Sequence, residues 1–83
     1  MDELTYKRMK LIKDIVRNPL FDDAVKAVRA DVLSALADTG LEAAEEREYY
    51  YLEILALSRI VGKLRTIAND VVHAEDQAQR GAA

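Results

Sequence analysis

Few side chains in this sequence can do chemistry. The sole imidazole is His73, with Asp70 three residues before it and Asp76 three residues after it. On a helix that spacing puts all three on one face. Asp70-x-x-His73 is a faint echo of the Glu-x-x-His pair of di-metal bundles, whose ligands project inward and are completed by carboxylates from facing helices. Here Ala68 and Val71 take the inward positions, so Asp70 and His73 are expected to face water at a solvated helix end, with no metal. Ser34 and Ser58 have no neighbouring base, and no Ser/His/Asp arrangement follows from the spacing. Glu42, Glu45, Glu46 and Glu48 cluster, but a helix start favours acidic residues for its own reasons. Paired catalytic carboxylates need a concave pocket that sets them apart, and nothing in the sequence implies one. There is no Gly-rich phosphate loop. The absence of cysteine removes thiolate chemistry and disulfide staples. The expectation is a protein that is not an enzyme, with no catalytic residues, no cofactor, no metal and no small-molecule substrate.

Charge offers a second kind of chemistry. The net charge of −3 gives no global attraction to nucleic acid or to an anionic membrane. The distribution is uneven: residues 1–17 are net basic and residues 41–56 net acidic. Lys7, Lys10, Lys13 and Arg17 approach one surface of the first helical segment. They supply the alternative reading, a small nucleic-acid-binding or regulatory adaptor whose affinity would fall steeply with salt. The turn around Thr39–Gly40 invites a helix-turn-helix reading, but the residues entering the groove would be Glu42, Glu45, Glu46 and Glu48, which phosphates repel. Docking on a membrane surface is disfavoured by the lack of Trp or Phe in the basic segment.

The elements that carry these residues are set by two breakers, Asn18–Pro19 and Thr39–Gly40. Residues 3–17 place Leu4, Leu11, Ile12, Ile15 and Val16 at helical spacing, with the lysines largely on the other side. Asn18 is a helix cap, Pro19 suits the first helical position, and Asp22 and Asp23 favour the first turn. Residues 19–38 carry Phe21, Val25, Val28, Val32 and Ala35 in steps of four and three, a coiled-coil-like seam. Gly40 suits a left-handed C-terminal position, and Thr39 with Glu42 resembles a capping box. Residues 41–77 repeat Tyr50, Ile54, Leu57, Val61, Leu64, Ala68 and Val71 in unbroken heptads. Residues 78–83 read as a polar, Ala-rich frayed tail.

The predicted fold is therefore all-α: a single helical domain over 1–83, with 19–38 and 41–77 as an antiparallel helical hairpin and 3–17 as an additional N-terminal helix or arm. Leu52, Ile60 and Ile67 flank the long seam on one side, and Tyr51, Leu55 and Val72 on the other. That arc is wider than one partner helix covers, and a chain this short buries only about 60% of its unfolded surface. The expected partners are further copies in a homo-oligomer, or other structural proteins. The expected contact residues are Tyr49, Tyr50, Tyr51, Ile54, Leu57, Val61, Leu64 and Val71. Mid-helix Gly62 costs about 1 kcal/mol against Ala, which close approach of another helix would justify. The longest apolar run is Ile54 to Leu57, too short to span a bilayer. No secretory signal is read, and synthesis in the cytoplasm is the default.

The stretch from Pro19 to Val72 also resembles small helical-hairpin proteins encoded among the structural genes of tailed bacteriophages. The resemblance rests on Phe21, Val25 and Val28 in a short helix, a small turn, then Glu46–Arg47–Glu48–Tyr49–Tyr50, Leu55–Ala56–Leu57, Leu64 and Ile67. It covers about two thirds of the chain and leaves the basic N-terminal helix outside. It implies a role in virion or head assembly, with no catalytic residues to carry over. Inhibition of a host protein by a small helical module is the remaining alternative.

Overall fold

The computed structural model describes residues 2–40 and 42–82. It is all-α, with three helices and no strand among the described residues: α1 (Glu3–Arg17), α2 (Pro19–Ala37) and α3 (Ala44–Ala82). The helix starts follow from local chemistry. Asp2 caps α1 by accepting the Thr5 backbone N–H at 2.8 Å and the Thr5 hydroxyl at 3.0 Å. Those bonds hold the Asp2 carboxyl below its usual pKa. Asn18 closes α1 by donating its N–H to the Ile15 carbonyl at 3.1 Å, and opens α2 by accepting the Leu20 N–H on its side chain at 2.9 Å. Pro19 stands at the first position of α2, where its missing N–H costs nothing. Replacing Asn18 with Ala is expected to cost about 1 kcal/mol. In a domain of this size that appears as a fall of about 4–8 °C in the thermal midpoint, whereas Asn18→Asp should keep most of it. Equal midpoints for wild type and Asn18→Ala would show that the cap contributes nothing.

The end of α2 departs from the expected pattern. No glycine or other described residue has positive φ, so Gly40 is not a left-handed cap. Asp38 instead ends α2 in right-handed geometry and donates its N–H to the Ser34 carbonyl, while the Thr39 hydroxyl donates to Leu36 O at 2.7 Å. Thr39 thus serves the end of α2 rather than a capping box for α3. The first backbone bonds towards α3 run from Ala43 N–H to Gly40 O and from Arg47 N–H to Ala43 O. Helix α3 begins at Ala44, not at Leu41, which lies outside the described residues. It also runs on through residues 78–82, so the segment read as a frayed tail has helical geometry up to Ala82. Ala83 lies outside the described residues.

Two ion pairs fix how the helices lie. Lys13 on α1 meets Glu75 on α3 at 2.8 Å, and Asp22 on α2 meets Arg65 on α3 at 2.7 Å. Moving forward along α1 and α2 therefore means moving backward along α3. The first two helices lie one after the other on the third, both antiparallel to it, with a break at Asn18–Pro19. Laid end to end they reach roughly 51 Å, against roughly 58 Å for α3. The longest dimension of the molecule is 63 Å, and the other two are 22 and 19 Å.

The core is a single row on α3. Val71 is fully buried, Ala68 is 3% exposed and Val61 8%. Tyr50, Ile54, Leu57 and Leu64 are half-buried on the same face. Phe21, Val25, Val32 and Leu36 of α2 are half-buried too, as are Tyr6, Met9, Ile12 and Val16 of α1. The Arg65 guanidinium lies 5.9 Å from the centre of the Phe21 ring, a cation–π contact beside its ion pair with Asp22.

Candidate interaction surface

The heptad seam foreseen as a contact surface is mainly the internal core. Val61 and Val71 are buried within the chain and offer nothing to an outside partner. Tyr50, Ile54, Leu57 and Leu64 keep only their margins exposed. Tyr49 and Tyr51 do stand in solvent, either side of the half-buried Tyr50. The Tyr49 and Tyr50 rings meet edge to face, with centres 5.6 Å apart. Interaction of the Tyr49 hydroxyl with the Glu53 carboxylate one turn on raises the phenol pKa above 10.0.

The exposed apolar side chains lie elsewhere. On α3 they are Leu52 (55% exposed), Leu55 and Ile60 (60%). Leu52, Leu55, Ala56, Ser58 and Arg59 line a shallow open groove. Leu52 precedes Val61 by nine residues, about two and a half helical turns, so it points away from the core. On α1, Leu4, Leu11 (63%) and Ile15 are exposed as well. This corrects the expected orientation of α1. Of the expected stripe, Ile12 and Val16 do turn inward, joined by Tyr6, Met9 and Lys13, while Leu4, Leu11 and Ile15 lie outside that face.

The same rotation dismantles the basic patch. Lys13 is turned inward, its side chain 15% exposed and paired with Glu75. Lys7 pairs with Glu3 at 3.3 Å on the surface. Of the four cations read as a nucleic-acid face, only Lys10 and Arg17 lack an ion-pair partner among the described residues. The charge of Lys10 also acts on Glu75. The hydrogen bond from Lys13 is the main cause holding the Glu75 carboxyl below 4.5.

Gly62, expected to mark close approach, has nothing within 4 Å of where a Cβ would stand. Within the chain it faces open space. His73 is exposed and meets Gln77 at 3.2 Å, while Asp76 pairs with Arg80 at 3.3 Å. No group of three or more His, Cys, Asp or Glu side chains converges among the described residues. No described helix is long and apolar enough to cross a membrane. Compared with protein-family models, curated proteins and solved structures, the chain matches none.

Proposed function

We propose that the chain is a non-enzymatic helical assembly protein: an antiparallel hairpin with a broken first arm, whose uncovered apolar side chains are buried by other helices in the assembled state. One observation carries this reading. Large apolar side chains of all three helices stand in solvent, Leu11, Leu20, Leu52 and Ile60 at more than half their surface, while only Val61, Ala68 and Val71 are buried hydrophobics among the described residues. Exposed apolar residues on this scale mark interaction surfaces, and a chain this short lacks a core large enough to make them incidental. The resemblance to phage structural proteins is in keeping with a part that builds a particle, and virion or head assembly is the setting proposed. Nucleic-acid binding through Lys7, Lys10, Lys13 and Arg17 is the weaker reading, because Lys13 is committed to Glu75.

The reading is tested by sedimentation equilibrium of the purified full chain from about 1 to 100 µM, at low and high salt. Reversible growth in mass with concentration is the expected result, surviving salt because apolar burial drives it. A monomer over the whole range that also leaves an environment-sensitive apolar dye dark would overturn it.

A further inference from the structure

The face of α3 turned away from the core carries a second heptad row, Glu45, Glu48, Leu52, Leu55 and Arg59, in steps of three, four, three and four. All five side chains are exposed, and the groove lies over the Leu52–Arg59 end of the row. Lys63 continues it one turn beyond Arg59 and is exposed too. The row is polarised: two carboxylates, two leucines, two cations. Glu45, Glu48, Arg59 and Lys63 form no ion pair within the chain among the described residues.

We propose that this row binds a second copy of the chain, with the two α3 helices antiparallel across a two-fold axis between Leu52 and Leu55. The inference rests on the assembly reading above and names its first partner. The axis position follows from charge. Setting Leu52 against the partner's Leu55 puts Glu48 against the partner's Arg59 and Glu45 beside the partner's Lys63. A two-fold contact repeats each pairing, so one rule satisfies four charged residues per copy. A parallel pairing in register does the reverse, setting Glu48 against Glu48 and Arg59 against Arg59, which like charges disfavour. The leucines supply the apolar centre and the charges the orientation, the usual division along a helix pair. The row from Glu45 to Lys63 is roughly 27 Å long, so the contact is a helix pair rather than a broad face. Gly62 lies within this stretch, with nothing within 4 Å of where a Cβ would stand.

Charge exchange tests the proposal. Glu48→Arg and Arg59→Glu each replace two attractive contacts with two repulsive ones, and each is expected to weaken dimerisation about tenfold or more at low salt. The double variant Glu48→Arg/Arg59→Glu restores both contacts with the partners exchanged, and should return to within about threefold of wild type. Sedimentation equilibrium measures the dissociation constants, and circular dichroism checks that each variant is folded. Both positions are solvent-exposed, and Leu52→Asp gives an independent loss of the dimer without altering Glu48 or Arg59. If wild type self-associates but none of these variants changes the constant, the interface lies elsewhere and this proposal fails while the assembly reading stands. If Leu52→Asp weakens the dimer while Glu48→Arg and Arg59→Glu each leave the constant unchanged, each position faces its own copy in a parallel pair and the proposal fails. If wild type is monomeric throughout, this proposal fails, and the assembly reading fails with it only where the apolar dye also stays dark.

Discussion

Replacing Val71 with aspartate is expected to abolish cooperative folding. Val71 is the one large side chain with no solvent exposure among the described residues, and it sits on α3 between the two ion pairs that hold α1 and α2. A carboxylate there has no partner, and burying an unpaired charge costs upwards of about 3 kcal/mol even after relaxation. The whole molecule is expected to have about 4–12 kcal/mol of stability, with a core too thin to absorb the loss. The milder Val71→Ala removes two methyl groups and leaves a cavity, at about 2 kcal/mol. Leu11→Asp, compared at a concentration where both chains are monomeric, is the control, because Leu11 is exposed within the chain and surface changes usually stay within about 0.5 kcal/mol. Thermal melts followed by circular dichroism should place Val71→Ala about 8–16 °C below wild type, with Leu11→Asp close to it. Similar losses at positions 71 and 11 would mean that α1 packs with its leucine stripe inward after all.

Lys13→Glu is expected to give the second-largest loss, with a pH signature that separates it from general damage. Lys13 contacts Glu75 at 2.8 Å in a partly covered site. Because the Glu75 pKa is lowered in the folded state, its contribution is present above about 4.5 and is lost as the pH falls through the lower folded value. Wild type therefore loses stability on acidification. In Lys13→Glu two carboxylates face each other, and protonation relieves the repulsion, so the same acidification helps the variant. Its midpoint should lie on the order of 10 °C below wild type at pH 7, and the gap should narrow towards pH 4. A gap constant from pH 7 to 4 would mean that the pair does not link α1 to α3 in solution. Lys7→Glu, at an exposed pair within α1, should show neither effect.

The legible cues are those that act within a few residues of themselves. Asn18–Pro19 was legible because a capping side chain and a proline act within three residues of themselves. The inner row of α3 was legible because seven apolar residues in unbroken heptads leave one choice of face. The ends of α3 were not. Thr39 and Glu42 have the spacing of a capping box, yet α3 begins only at Ala44, beyond Glu42, and the Thr39 hydroxyl donates back to Leu36 O at the end of α2. The Ala-rich end at 78–82 meets no strong stop signal before Gly81. The rotation of α1 was misread for a different reason. Its apolar residues centre the stripe on Leu4, Leu11, Ile12, Ile15 and Val16, of which only Ile12 and Val16 turn inward, because a lysine stem packs as hydrocarbon and its ammonium needs an acceptor. Glu75, sixty-two residues away, supplies one, and only the fold brings that acceptor into reach. The outward row of Glu45 to Arg59 was read as separate features, an acidic helix start and two leucines on opposite flanks of the seam, because its meaning depends on knowing which face of α3 is already covered.

The break at Asn18–Pro19 makes α1 a tethered ligand of the rest of the chain. Pro19 has no N–H to send back to α1, and the Leu20 N–H is taken by the Asn18 side chain. The two helices are therefore joined covalently but share almost no helical hydrogen-bond ladder. Once α2 lies on α3, α1 searches for its site at the high effective concentration of a short leash, and it can leave again without unwinding α2. Amide protons of α1 should accordingly exchange through undocking, at a free energy below that of global unfolding, while those of α2 and the facing part of α3 wait for the whole molecule to open.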